Sequence, residues 1–118
     1  MRTPLETVNA FNDAINRHSL DEAMALMSDE VLFENTNPAP DGTAYRGKSE
    51  VRSFWENFFR LHPTARFEAE EIFDAGNRVV VRWCYRKIKD GSPWHLRGVD
   101  LFKVIDGRIT EKLSYVKG

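Results

Sequence analysis

The chain has 118 residues, which fits a single domain over 1–118 and leaves no room for a cofactor domain beside a substrate domain. Its 17 Lys and Arg balance 18 Asp and Glu to a net charge of -1, without the basic footprint that a phosphate backbone demands, so no nucleic acid is expected as a partner. Apolar residues at 42% and charged residues at 30% place it among globular chains, with enough aromatics, 12%, to line a hollow in the core. Cys84 is the sole cysteine, so no intrachain disulfide forms and a cytoplasmic location is expected. No apolar run approaches the ~18 residues of a membrane span, and Met-Arg-Thr-Pro-Leu-Glu lacks the apolar stretch of a secretory signal, so the chain reads as soluble, unprocessed and without a membrane partner.

Thr3-Pro4-Leu5-Glu6 opens a first helix: Thr3 can cap, Pro4 suits the first helical position and Glu6 closes a capping box. Leu5, Val8, Phe11, Ala14 and Ile15 form its apolar stripe. A second box, Ser19-Leu20-Asp21-Glu22, predicts a short helix that Ser28-Asp29 ends, the two helices making a hairpin. Val31 to Asn35 reads as a short strand, and Thr36 to Arg46, holding Pro38, Pro40 and Gly42, as an irregular loop. A third helix is expected from about Ser49 to Leu61, with Val51, Phe54, Trp55, Phe58 and Leu61 at helical spacing, stopping before Pro63. The second half changes to period two: Ala65–Asp74, Arg78–Lys89, Pro93–Ile105 and Arg108–Val116 are strand-like and separated by Gly76-Asn77, Asp90-Gly91 and Asp106-Gly107 turns. The order α-α-β-α-β-β-β-β implies an α+β domain in which three N-terminal helices cover one face of a strongly bent antiparallel sheet.

This order, with Ser19-Leu20-Asp21-Glu22-Ala23, Val31 to Asn35, Tyr45-Arg46-Gly47-Lys48, Val79 to Trp83 and Gly98 to Ile109, resembles the SnoaL-like branch of the NTF2-like superfamily over nearly the whole chain. The resemblance implies a cone-shaped barrel, often dimeric through the outer sheet surface, that holds a small apolar molecule without a cofactor. It does not fix the reaction, because members include steroid isomerases, polyketide cyclases, epoxide hydrolases, dehydratases and proteins without chemistry.

The resemblance points Asp100 inward, and period two then places Gly98, Leu96 and Trp94 on its face. The same parity offers Val81, Trp83 and Tyr85 from the neighbouring strand, Leu113 and Tyr115 from the last, and Phe33 and Asn35 from the first, with Trp55, Phe58 and Phe59 as a roof. An Asp among aromatic rings is desolvated, which suits a general acid or a hydrogen-bond donor to an oxyanion. The ketosteroid isomerases of the same superfamily keep such an acid neutral in an apolar site. An ungapped alignment of Asn16 to Asn35 with them puts Asn35 at their catalytic-base Asp and Phe11 at their oxyanion-donating Tyr. Neither residue can transfer a proton, which argues against their 1,3-proton transfer by that route. The Asp-Arg-Asp set of the epoxide hydrolases is likewise unmatched, since Arg97 and Asp100 fall on opposite strand faces.

His95 alternates away from Asp100 and is expected outside the cone. His18, His62 and His95 lack metal-ligand spacing, so no metal is expected. Three functions stay open: an isomerase, cyclase, dehydratase or hydrolase working through Asp100, a binding module for a small apolar molecule, and a homodimerisation domain.

Overall fold

A computed structural model describes residues 1–118 and nine elements: α1 (Pro4–Asn16), α2 (Leu20–Ala25), β1 (Met27–Glu34), β2 (Ala44–Arg46), α3 (Lys48–Leu61), β3 (Arg66–Ala75), β4 (Arg78–Lys89), β5 (Ser92–Ile105) and β6 (Arg108–Val116). One six-stranded sheet runs β2-β1-β6-β5-β4-β3 and curls around α1 and α3. The capping box of α1 forms as its residue types dictate, Glu6 N donating to Thr3 Oγ1 at 3.1 Å and Thr3 N to Glu6 Oε1 at 2.9 Å. The stripe that follows is buried through Val8, Phe11, Ala14 and Ile15, which pack with Val51 and Trp55 of α3 against Phe33, Val79, Val81 and Phe102 of the sheet.

The structure departs from the sequence expectations in four places. First, the sheet is mixed, because β1 runs parallel to β6 while all other neighbours are antiparallel. Hairpin turns impose antiparallel pairing on β3 to β6, but β1 is separated from them by α3 and its direction is set only when the cone closes. Second, the segment read as a loop over 36–46 contains β2, whose three residues pair with Leu32, Phe33 and Glu34. So short a strand draws its stability from its partner rather than from its own propensity. Third, β1 begins at Met27, where Ser28-Asp29 was expected to break structure, and absorbs an irregularity before Leu32. Fourth, the Ser19 side chain makes no capping bond. The acids that follow it turn to arginines instead, Asp21 to Arg52 and Glu22 to Arg17.

Candidate functional site

The long hairpin of β4 and β5 builds one wall of a cavity inside the cone. Its register sets Val81 opposite Asp100, Trp83 opposite Gly98, Tyr85 opposite Leu96 and Lys87 opposite Trp94, so all of these share the concave face. Gly98 is needed there: a Cβ would lie 2.4 Å from Trp83 Cζ2 and 2.3 Å from the Tyr115 carbonyl oxygen. With no Cβ at residue 98, the Trp83 indole can close on the β5 backbone. Phe54, Trp55 and Phe58 of α3 form the roof, with Trp55 stacked on Phe33 at 5.8 Å between centroids. A bidentate contact holds α1 to β3, Asn16 Nδ2 donating to the Phe67 carbonyl and Phe67 N to Asn16 Oδ1, both at 2.8 Å. Phe67 then stacks on Tyr85 at 4.7 Å. The cavity measures about 440 Å³, a size that suits a small organic molecule. Beyond its floor a second hollow of about 20 Å³, room for roughly one water, is bounded by Phe11, Asn12, Trp55, Asp100 and Lys112.

At the floor stands a polar cluster in apolar surroundings. Asp100 points inward and is 6% exposed. Lys112 Nζ lies 3.2 Å from its Oδ2, Ser114 Oγ donates to its Oδ1 at 2.6 Å, and Lys112 Nζ donates to Ser114 Oγ at 3.1 Å. The ammonium also sits 4.6 Å from the Phe33 ring centroid and 5.6 Å from that of Trp55, a cation–π arrangement away from water. Asp100 Oδ1 accepts from Ser114 while Oδ2 faces the Lys112 ammonium, so the carboxyl group stands in an ion pair and not alone among rings. The desolvation expected for Asp100 is present, but a cation that strand parity does not place there stands beside it.

Lys112 and Ser114 were not foreseen, because parity had offered Leu113 and Tyr115 from the last strand. Tyr115 is instead 55% exposed on the convex face. The Asp106-Gly107 turn pairs Ile105 with Arg108 and Val104 with Ile109, a register that would carry Leu113 opposite Asp100. One extra residue, Thr110, is then inserted before Lys103 pairs with Glu111, and every later side chain of β6 changes face. The sequence carried no glycine or proline at the bulge to announce it.

The remaining sites fall as follows. Phe33, Asn35, Trp55, Phe58, Trp83 and Tyr85 line the main cavity together with Trp94 and Leu96, while Val81 borders the deep hollow. Phe11 is fully buried between Trp55 and Phe102. His95 is exposed beside Arg97 on the convex face, and Arg97 pairs there with Glu70 at 3.0 Å, holding the Glu70 carboxyl below its usual range. Phe59, expected in the roof, does not line the cavity and stacks on His18 at 4.5 Å instead, and His62 follows α3 at the cavity mouth. Three buried donors on lining residues, Trp55 Nε1, Trp83 Nε1 and Tyr85 Oη, have no hydrogen-bond partner in the protein. Burial pushes the Tyr85 phenol up to about 12.

The family model of the SnoaL-like domain matches residues 8–112. No curated protein matches the chain by sequence. Among solved structures the chain is similar to an NTF2-like protein of unknown function from Mesorhizobium loti, with 37% identity, a TM-score of 0.83 and coverage of 98% of this chain and 91% of that one. It also shares its fold with a putative polyketide cyclase from Pseudomonas putida, at 22% identity and a TM-score of 0.79 over 99% and 93% of the two chains. A third is a Mycobacterium tuberculosis protein solved in complex with estradiol-17beta-hemisuccinate, at 22% identity and a TM-score of 0.81 over 97% and 94%. With the mixed, curled sheet and the helices inside it, these matches establish that the chain belongs to the SnoaL-like family of the NTF2-like superfamily.

Proposed function

We propose that the protein binds a small, mainly apolar molecule in its aromatic cavity and moves a proton on it through Asp100, without a cofactor. The observation that carries this reading is the Asp100–Lys112–Ser114 cluster at the floor of the cavity. A buried ion pair is weak support for stability, since its desolvation offsets much of its attraction, so its place facing a hollow suggests chemical use. Asp100 Oδ2 would take a proton from the carbon next to a carbonyl, and the Lys112 ammonium would donate to the enolate oxygen that develops. This is proton transfer of the isomerase or cyclase kind, with Lys112 supplying the positive charge that Phe11 cannot. One relative's ligand supports the reading: the Mycobacterium tuberculosis protein was solved in complex with estradiol-17beta-hemisuccinate.

The reading is tested first by binding. All three tryptophans of the chain, Trp55, Trp83 and Trp94, line the cavity, so their fluorescence reports its occupancy. A cyclic ketone such as β-tetralone should quench it saturably in the wild type and in Asp100→Asn alike, and absence of saturation in both would remove the pocket.

Binding without chemistry is favoured by one observation, that both Asp100 oxygens are already satisfied by the protein itself. Homodimerisation has separate support on the convex face. Phe73, Val80, Leu101 and Leu113 lie in register across β3, β4, β5 and β6, and Phe73 is 49% exposed. A second copy of the chain would cover this row. No helix is long and apolar enough to cross a membrane, and the buried free thiol of Cys84 suits the reducing cytoplasm.

A further inference from the structure

The outer end of the cavity carries charge that the floor does not use. Lys87, Lys89 and His62 line the mouth, and the cavity wall has one acidic residue, Asp100, whose charge Lys112 already answers. On the convex face of the same hairpin, Arg82, Arg86 and Arg97 are each paired with a glutamate of β3. Lys87 and Lys89 have no such partner. Their contacts are aromatic: Lys87 Nζ lies 4.8 Å from the Trp94 ring centroid and 5.5 Å from that of Tyr85, and Lys89 Nζ lies 5.6 Å from Trp94. Lys87 Nζ also comes within 3.5 Å of His62 Nδ1. Burial and then Lys89 hold the Lys87 amine below its usual range, and burial and then Lys87 do the same to the His62 imidazole. Lys87, Lys89 and His62 thus stand together at one end of the cavity with no acidic side chain of the lining to answer them, a gap that an anion would fill.

We infer that the cavity takes an amphipathic carboxylic acid, its apolar body on Trp83 and Tyr85 and its carboxylate at the mouth between Lys87, Lys89 and His62. This rests on the reading of the cavity as a small-molecule site and adds the class of the molecule and its direction. The direction follows from the strand. Lys87 stands six residues beyond Val81, which faces Asp100, so roughly 20 Å of β4 separates the two ends. The acid group thus anchors the far end, and the middle of an elongated body lies over the aromatic rings, leaving the opposite end at the Asp100–Lys112 pair. Two cations at i and i+2 of one strand face, both over the Trp94 ring, give such a carboxylate charge-assisted contacts that an amide or ester cannot match.

The test compares pyrenebutyric acid with pyrenebutyramide, which differ in charge and little in shape, by energy transfer from the tryptophans. The wild type should bind the acid about tenfold more tightly than the amide. Lys87→Gln/Lys89→Gln should bind the amide as the wild type does and lose the preference for the acid. Equal binding of acid and amide by the wild type overturns the inference and leaves the cavity reading intact. A preference that survives the double substitution overturns the placement of the carboxylate at the mouth. Binding of neither probe by the wild type overturns both readings.

Discussion

Lys112 meets Asp100 on the diagonal of two neighbouring strands: Asp100 faces Ser114 and Lys112 faces Phe102 in the β5–β6 register, yet Nζ and Oδ2 are 3.2 Å apart. Their side chains are 8% and 9% exposed, so either charge left alone would be stranded out of water. Lys112→Met or Asp100→Asn by itself should destabilise the protein by roughly 3–5 kcal/mol. Combining the two should cost much less than the sum, because no charge then stays unpaired. Urea unfolding of the four proteins measures this coupling, and simple additivity would show that the pair is not formed.

Gly98 offers a steric test of the cavity wall. In Gly98→Ala the new methyl would meet the Trp83 ring at 2.4 Å and the Tyr115 carbonyl oxygen at 2.3 Å, one a packed indole and the other backbone. Neither can move without reshaping the hairpin, and such overpacking costs roughly 1–3 kcal/mol. Thermal unfolding should show the loss, and ligand-induced quenching of tryptophan fluorescence should weaken with it.

His62 gives the stability a dependence on pH with a definite sign. Burial and the nearby Lys87 hold its imidazole below the ordinary value of 6.5, so the unfolded chain binds this proton more tightly than the folded one. The stability is complete above the ordinary value and falls as pH drops through 6.5 and on through the lowered one. Urea titrations between these limits should therefore show less stability at the acid end, and His62→Gln should flatten that slope.

The row of Phe73, Val80, Leu101 and Leu113 predicts a concentration-dependent homodimer. Leu101 is central in the row and its side chain points away from the cavity, so Leu101→Lys should separate the copies and leave ligand binding unchanged. Light scattering after size exclusion reads the mass directly. A monomeric wild type across the accessible concentration range would contradict the assignment of that face.

How far the sequence was legible follows from which forces set each element. Periodicity and turn signals found α1, α3 and the four strands of the second half within a few residues, because each is long and bounded by cap, Pro or Gly signals. The wall of Val81, Trp83 and Tyr85 was legible for the same reason: the Asp90-Gly91 turn leaves no bulge in the β4–β5 hairpin, so parity counted from Asp100 holds throughout. The same reasoning failed on β6, where one inserted residue at Thr110 exchanged Leu113 and Tyr115 for Lys112 and Ser114. It also missed β2 and the parallel pairing of β1, both decided by contacts distant in the chain. The charged partner of the one acidic residue in the cavity was therefore hidden by a backbone irregularity and not by any ambiguity of residue type.

The most direct measurement of the central claim is deuterium incorporation next to the carbonyl of β-tetralone, followed by proton NMR in deuterated buffer. Asp100 acting as base, with Lys112 on the enolate oxygen, predicts that the wild type accelerates the exchange well above buffer, and that Asp100→Asn still binds the ketone but loses the acceleration. A wild type that binds the ketone and leaves the exchange at the buffer rate would contradict proton transfer by Asp100.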